Sequence, residues 1–148
     1  MKGPGRKRGS SARVRDIMTT NVVTISLDER LDLVDEIMTS GNIRHMPVTR
    51  GGRVVGIVSQ RDLLRARLSS LGEYSERDRA EFLRAVDVSK VMTKNVEFAH
   101  PDESVRHAAE RMLEARIGCL PVVDSDGELL GLVTETDVMR HFVETVSG

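Results

Sequence analysis

The chain contains two copies of one sequence unit, and this duplication limits the folds that are open to it. Residues 14–49 align with residues 88–123 at a constant offset, and residues 51–65 align with residues 126–140 after one inserted residue. Seventeen of the aligned pairs are identical. Because self-similarity at a fixed period is the signature of a repeated architecture, we expect two structural copies of one small unit.

The size and composition of the chain favour a globular protein with an aliphatic core. Its 148 residues are 39% hydrophobic but only 3% aromatic. Each half alone would bury a modest core, so two halves that share a core are favoured. The single cysteine excludes an intrachain disulfide, and we expect neither a membrane span nor a secretory signal. These features together predict a cytoplasmic protein.

Charge is distributed unevenly along the chain. The first 15 residues carry six of the 22 lysines and arginines and none of the 23 acidic residues. The rest of the chain therefore has 16 basic and 23 acidic residues, a net charge of −7. We expect residues 1–13 to form a basic, disordered tail, and nucleic-acid binding by this tail stays open as an alternative.

Hydrophobic periodicity predicts the same order of elements in both copies, a helical turn followed by β-α-β-β-α, and hence an α/β (α+β) fold. In the first copy a helix is predicted over residues 31–40 and is ended by Gly41. The residues that can open the central helices are Ser26 or Asp28 in the first copy and Pro101 or Asp102 in the second. Glycines at 51–52 and at 127 then mark a hairpin in each copy.

A charged segment, residues 66–87, joins the two copies. It is predicted to contain a helix over residues 76–86 that carries apolar Phe82, Leu83 and Val86 and packs against the rest of the module or against a partner. The expected organisation is therefore a tail over 1–13, a first repeat over 14–65, a helical linker over 66–87 and a second repeat over 88–144.

The sharpest repeated motif is Gly-apolar-apolar-Ser/Thr-x-x-Asp, which reads GIVSQRD at 56–62 and GLVTETD at 131–137. It delivers a hydroxyl from a buried strand to the start of a helix, with a carboxylate in the first helical turn. The free N–H groups at that helix end favour an anion. The carboxylate can accept hydrogen bonds from both hydroxyls of a ribose diol. Taken singly, each motif also fits an ordinary capping box, but its recurrence in a full repeat favours a nucleotide site.

At this level of detail the sequence resembles the CBS (cystathionine beta-synthase) domain family, present as a tandem pair. Three pairs of segments carry the resemblance: VRDIMTTNVVTI with VSKVMTKNVEFA, IRHMPV with IGCLPV, and GIVSQRD with GLVTETD. The resemblance implies a pseudo-twofold pair of repeats, two ligand clefts between them, and a homodimer. It also implies that the chain senses AMP, ADP, ATP, NAD or S-adenosylmethionine as a regulatory ligand, with no obligatory cofactor.

The resemblance further implies which residues line the first cleft. Asp62 would bind the ribose, and Ser59 and Arg61 would face the phosphate. The base pocket would be lined by Thr20, Asn21, Val22, Arg44, His45, Met46 and Pro47.

In the second cleft, the family pattern assigns the ribose to Asp137 and the phosphate to Thr134 and Thr136. The base pocket would be lined by Lys94, Asn95, Val96, Gly118, Cys119, Leu120 and Pro121. The first cleft carries Arg44, His45 and Arg61 where the second has Gly118, Cys119 and Thr136. Because guanidinium groups pair well with phosphate, we predict that the first cleft prefers the more highly charged nucleotide.

Other functions are disfavoured by the residues present. No histidine pair shows metal-ligand spacing with carboxylates, and no base is associated with Cys119 as a nucleophile, so neither a metal site nor a catalytic site is predicted. The leading hypothesis is a non-enzymatic regulatory module that reports ligand occupancy to an unidentified effector protein. The alternative is a ligand-independent scaffold for protein interaction or dimerisation.

Overall fold

The computed structural model describes residues 12–69 and 76–146. Helices and strands are mixed throughout, and this confirms the predicted α+β fold. No helix among the described residues is long and apolar enough to cross a membrane. The helices are α1 (Val14–Ile17), α2 (Leu31–Gly41), α3 (Gln60–Ser69), α4 (Glu76–Ala85), α5 (Val105–Ala115) and α6 (Glu135–Thr145). The strands are β1 (Ile25–Ser26), β2 (His45–Arg50), β3 (Arg53–Ser59), β4 (Cys119–Val123) and β5 (Leu129–Thr134).

The chain divides into two compact units whose boundaries differ from those of the sequence repeats. Unit 1 combines residues up to Val22 with residues from Glu97 onward, and unit 2 spans Val23–Val96. Each unit therefore takes its opening segment from the other repeat: residues 14–22 belong with the body of the second repeat, and residues 88–96 with the body of the first. We call residues 14–22 and 88–96 the exchanged segments. The sequence repeats did not predict this exchange.

Unit 2 is built on a three-stranded sheet in the order β1-β2-β3. Strand β1 runs parallel to β2, and β2 pairs antiparallel with β3 through the predicted hairpin at Gly51 and Gly52, both of which have positive φ. Helix α2 buries Leu31, Val34 and Met38 in a core with apolar residues of β2 and β3. The core is aliphatic, as the scarcity of aromatic residues predicts.

Helix α4, from the segment that links the repeats, belongs to unit 2. It packs against α2, and Leu83 and Val86 contact the core. The backbone carbonyl of Val86 accepts a 3.0 Å hydrogen bond from the Leu31 N–H, and the backbone carbonyl of Glu29 accepts a 2.8 Å hydrogen bond from the Val88 N–H. The packing predicted for Leu83 and Val86 is therefore confirmed, and the helix ends at Ala85, one residue before its predicted end.

Unit 1 has a smaller sheet, in which β4 and β5 form an antiparallel hairpin. Where unit 2 has β1, unit 1 has a single parallel bridge between Ala99 and Val122. The core combines Val14 of α1 with residues of α5, β4 and β5, including Met112 and Leu120. Val14 is fully buried, so the exchanged segment is an integral part of this core.

Three predictions of helix ends are wrong. Arg30, rather than Ser26 or Asp28, precedes α2, and its side chain makes no capping hydrogen bond. Ser104, rather than Pro101 or Asp102, caps α5, and its hydroxyl accepts from the His107 N–H at 3.0 Å. Helix α2 includes Gly41, and the left-handed residue that ends it is Asn42, whose side chain tolerates that conformation.

Candidate functional site

In unit 2 the repeated motif places Asp62 in the first turn of α3. The Ser59 N–H donates to one Asp62 carboxylate oxygen at 2.8 Å, and the Asp62 N–H donates to the Ser59 hydroxyl at 3.1 Å. The capping box expected from the sequence is therefore present. The other carboxylate oxygen accepts no hydrogen bond from any described residue, and Asp62 is half-buried. This oxygen remains available to a donor from outside the protein.

In unit 1 the corresponding Asp137 is almost enclosed, with 4% of its surface exposed. One carboxylate oxygen accepts from the Thr134 N–H at 2.9 Å and from the Thr134 hydroxyl at 3.0 Å. The Thr19 hydroxyl spans both oxygens, at 3.1 and 3.3 Å, and Arg140 reaches one of them at 3.5 Å. A carboxylate has about four acceptor positions, so Asp137 is saturated by its own protein.

The exchanged segments bring their threonines to these helix starts by backbone pairing. Thr19 exchanges two 2.8 Å hydrogen bonds with Leu132 of β5, and Thr93 makes the equivalent pair with Ile57 of β3, at 2.8 and 3.0 Å. Each segment therefore extends the edge of the strand that delivers the motif.

The glycine of each motif is required by this close approach. A Cβ built on Gly131 would lie 2.5 Å from the Thr19 carbonyl oxygen. A Cβ on Gly56 would collide first with the Met92 sulfur and would lie 3.0 Å from the Thr93 carbonyl oxygen. At Gly131 a side chain would collide with the backbone of the exchanged segment, and at Gly56 it would displace the Met92 side chain.

The exchange of opening segments distributes the candidate residues between the two units differently from the repeats. Thr20, Asn21 and Val22 were expected beside Asp62, but they follow Thr19 in the unit that contains Asp137. The segment from Lys94 to Val96 was expected beside Asp137, but it belongs to the unit that contains Asp62. The physical reason is the backbone pairing of each opening segment with the strand of the other repeat.

This distribution gives the unit that contains Asp62 more cations at the candidate positions than the unit that contains Asp137. Unit 2 contains Arg44, Arg61 and Lys94, all exposed. The Arg44 carbonyl accepts a 2.8 Å hydrogen bond from the Gln60 N–H, which places this residue beside the start of α3. At the aligned positions unit 1 has the uncharged residues Gly118, Thr136 and Thr20.

Five candidate residues of the base pockets have buried side chains, and one of them is Cys119. Met46 and Leu120 are fully buried members of the two cores, and Pro47 and Pro121 are buried next to them in β2 and β4. Only the main chain at these positions is left to contact a ligand. The remaining candidates with exposed or half-buried side chains are Asn21, Val22, His45, Asn95, Val96 and Thr134.

Cys119 is buried at the start of β4, directly opposite Thr134. Burial, together with the nearby Asp137 charge, raises the pKa of its thiol from 9.0 to about 12. The thiol therefore stays protonated at neutral pH, which disfavours a role as a nucleophile. Among the residues that the structure describes, no cluster of three His, Cys, Asp or Glu side chains could hold a metal ion.

Sequence reasoning missed two residues that contact the Asp137 carboxylate, Thr19 and Arg140. A signal was present for both of them: Thr19 aligns with Thr93 and Arg140 aligns with Arg65, so each is identical in the two repeats. The repeated motif ends at the aspartate and so does not include Arg140, and the exchange that brings Thr19 to Asp137 has no signature in the spacing.

Comparisons with known proteins agree with this architecture. The CBS domain family model matches twice, at residues 14–69 and 88–144. A CBS domain-containing protein of Dictyostelium discoideum is 34% identical over 134 residues, which cover 90% of this chain and 92% of that protein. A homoserine O-acetyltransferase of Methanohalobium evestigatum is 32% identical, but the match covers 91% of this chain and only 25% of the enzyme.

Solved structures of CBS domain proteins also superpose on this chain. The CBS domain pair of protein MJ0100, in complex with 5′-methylthioadenosine and S-adenosyl-L-methionine, superposes with a TM-score of 0.77 at 29% identity, covering 91% of this chain and 98% of that one. CBSX2 in complex with AMP has a TM-score of 0.74 at 26% identity, with 90% and 97% coverage. The chain therefore belongs to the CBS domain family and carries two copies of the domain.

Proposed function

We propose that the protein is a regulatory module that binds adenosine-containing ligands at two sites, one at the start of α3 and one at the start of α6, and that it has no catalytic activity of its own. Two similar CBS pairs have been solved with adenosine derivatives, and the homoserine O-acetyltransferase relative is about four times as long as the matched region.

The observation that carries this proposal is the free oxygen of the Asp62 carboxylate. Asp62 lies in the first turn of a ten-residue helix, and its N–H donates to the Ser59 hydroxyl. A ribose diol supplies two donors for a carboxylate, and the helix N-terminus attracts a phosphate. One ligand can satisfy both when the nucleoside carries a phosphate, as AMP does.

We expect the Asp62 site to prefer ligands with more phosphate charge. Arg44, Arg61 and Lys94 belong to its unit, and the Asp137 unit has no cation at the aligned positions. ATP should therefore be favoured over AMP more strongly at Asp62 than at Asp137. The preference should weaken as salt is added, because exposed charges are screened.

Occupancy would be transmitted by stabilising one arrangement of each unit. A ligand that contacts both the helix start and the exchanged segment favours the conformation in which they are packed together. A partner protein that binds this conformation more tightly than the unliganded one is then recruited in proportion to the amount of bound ligand. The proposal extends to NAD and S-adenosylmethionine as ligands and to a cytoplasmic location.

A second copy of the chain is the partner that the surface favours. The last helices of both repeats expose apolar side chains at aligned positions, Leu64 and Met139 at 53% and 63%, and Leu68 and Val143 at 53% and 66%. Phe142 adds a further exposed ring at 58%. Exposed apolar side chains that recur on matching helices are typical of a self-association surface.

Calorimetric titration with AMP, ATP and S-adenosylmethionine tests the proposal. Asp62→Asn and Asp137→Asn should each remove one site while leaving an oxygen to accept the capping hydrogen bond. Asp28→Ala, at an exposed acidic position, is the matched control and should leave both sites intact. A ligand that binds only the folded state should also raise the melting temperature. Absence of heat and of any thermal shift with all three ligands would favour the scaffold alternative.

Nucleic-acid binding by the basic tail remains a separate prediction, because residues 1–11 lie outside the described part of the chain. Removal of residues 1–11 should abolish any salt-dependent retention of DNA or RNA, since such retention depends on phosphate contacts. If the intact chain shows no retention, the tail has no such role.

A further inference from the structure

We infer that the Thr19 hydroxyl competes with the ligand for Asp137, so that the two sites fill in order, the Asp62 site first. This inference rests on the proposed function and adds a residue that sets the difference in affinity between the sites. It follows from the hydrogen bonds of two threonines that occupy aligned positions in the repeats, Thr19 and Thr93.

The first step is the saturation of Asp137. Thr134 supplies two donors to one carboxylate oxygen, and the Thr19 hydroxyl is shared between both oxygens at 3.1 and 3.3 Å. A ribose diol brings two further donors, and about four acceptor positions are available in all. Arg140 can leave at little cost, because its contact is 3.5 Å long and its side chain is 60% exposed. The Thr19 hydroxyl must therefore also give way.

The second step is that the Thr19 backbone is fixed. Its N–H and carbonyl are both bonded to Leu132 at 2.8 Å, and its carbonyl oxygen lies against Gly131 with no room for a methyl group. The segment cannot move away without breaking these contacts. Release of Asp137 thus requires rotation of the Thr19 side chain alone, and the ligand must replace the hydrogen bonds that this rotation breaks.

The third step is the contrast in unit 2. Thr93 has the same paired backbone on Ile57, but no hydrogen bond joins its hydroxyl to Asp62, and one oxygen of Asp62 accepts no bond from any described residue. The Thr93 carbonyl oxygen would lie 3.0 Å from a Cβ built on Gly56, whereas the Thr19 carbonyl oxygen would lie 2.5 Å from a Cβ built on Gly131. The Asp62 site can therefore accept a diol without first losing a protein hydrogen bond.

The test isolates each site and then removes its threonine hydroxyl. Asp62→Asn leaves the Asp137 site, and Asp137→Asn leaves the Asp62 site. Thr19→Val in the first background and Thr93→Val in the second keep the β-branched shape and the backbone pairing. Dissociation constants for AMP are measured by calorimetry, and thermal melting checks that each variant is folded.

Thr19→Val should tighten AMP binding at the Asp137 site about fivefold, the value of one competing hydrogen bond. Thr93→Val should change binding at the Asp62 site less than about twofold on the same scale. Unchanged or weaker AMP binding in Thr19→Val would overturn the inference, while heat at the Asp62 site would still support the proposed function. Absence of heat in every background, with or without valine, would reject the proposed function and this inference together.

Discussion

Replacing Gly131 by alanine tests whether the exchanged segment holds unit 1 together. The new Cβ would lie 2.5 Å from the Thr19 carbonyl oxygen, and ordinary contact begins at 3.4 Å, so the segment must retreat by about 0.9 Å. That carbonyl accepts the 2.8 Å hydrogen bond from the Leu132 N–H, which the retreat would break. Overpacking and the lost hydrogen bond together should lower the free energy of unfolding by about 2–4 kcal/mol.

Gly56→Ala is the matched comparison in unit 2. Its Cβ would first meet the Met92 side chain, which can rotate, and the Thr93 carbonyl oxygen at 3.0 Å needs to shift much less. We expect a loss of about 1–2 kcal/mol. Gly41→Ala is the control, because it contacts only the Ile43 side chain and ends a helix that alanine favours. Its effect should stay below about 1 kcal/mol.

Urea denaturation followed by circular dichroism gives the stability of the three variants, since the midpoint and slope separate a loss of stability from a change in the unfolded chain. Hydrogen exchange measured by mass spectrometry then locates the effect. In Gly131→Ala, the protection of peptides from β5 and from residues 14–22 should fall together. A Gly131→Ala protein as stable as the wild type, or more stable than Gly56→Ala, would refute the reasoning.

Four further substitutions test the local structure. Arg116 ends α5 in the left-handed conformation, at φ 55°, so Arg116→Gly should raise the free energy of unfolding by about 0.5–1 kcal/mol in urea titrations. Asn42→Gly should raise the free energy of unfolding less, because asparagine tolerates that conformation. Equal effects of the two substitutions would contradict this explanation. Ser104→Ala removes the hydroxyl that caps α5 and should cost about 1 kcal/mol by the same assay, and a neutral result would show that the cap is dispensable. Because burial raises the pKa of Cys119 to about 12, the folded state holds this proton more tightly than the unfolded state, whose thiol titrates near 9.0. Its contribution to stability is therefore complete below pH 9 and is lost as the pH rises towards 12, and Cys119→Ala should reduce that loss in melts at pH 7 to 11; identical pH dependence in both proteins would argue against a buried thiol.

Local chemistry explains what the sequence alone could predict. Glycines at 51–52 and 127 located both hairpins, since their positive φ values suit tight turns. Ser59 and Thr134 were identified as caps, and their hydroxyls do accept the expected backbone hydrogen bonds. Such features depend on residues within a few positions of one another, and the sequence records them directly.

The sequence repeat alone does not predict which strand each exchanged segment pairs with. Residues 14–22 and 88–96 are similar in sequence, so hydrophobic pattern does not say which strand either will pair with. The saturation of Asp137 was likewise hidden, because it depends on Thr19, 118 residues away in the chain. The prediction of a capping residue for α2 is wrong for another reason. Arg30 precedes the helix without making a capping hydrogen bond, and its side chain forms an ion pair with Asp87.

Native mass spectrometry during a titration with AMP tests the central claim most directly, because it counts ligands on each chain and shows the oligomeric state in the same spectrum. We predict a dimer in which each chain binds up to two AMP molecules, with single occupancy completed before double occupancy. In Asp62→Asn and in Asp137→Asn the limit should fall to one AMP per chain. A protein that binds no AMP at any concentration, or whose limit of two is unchanged by both substitutions, would contradict the account.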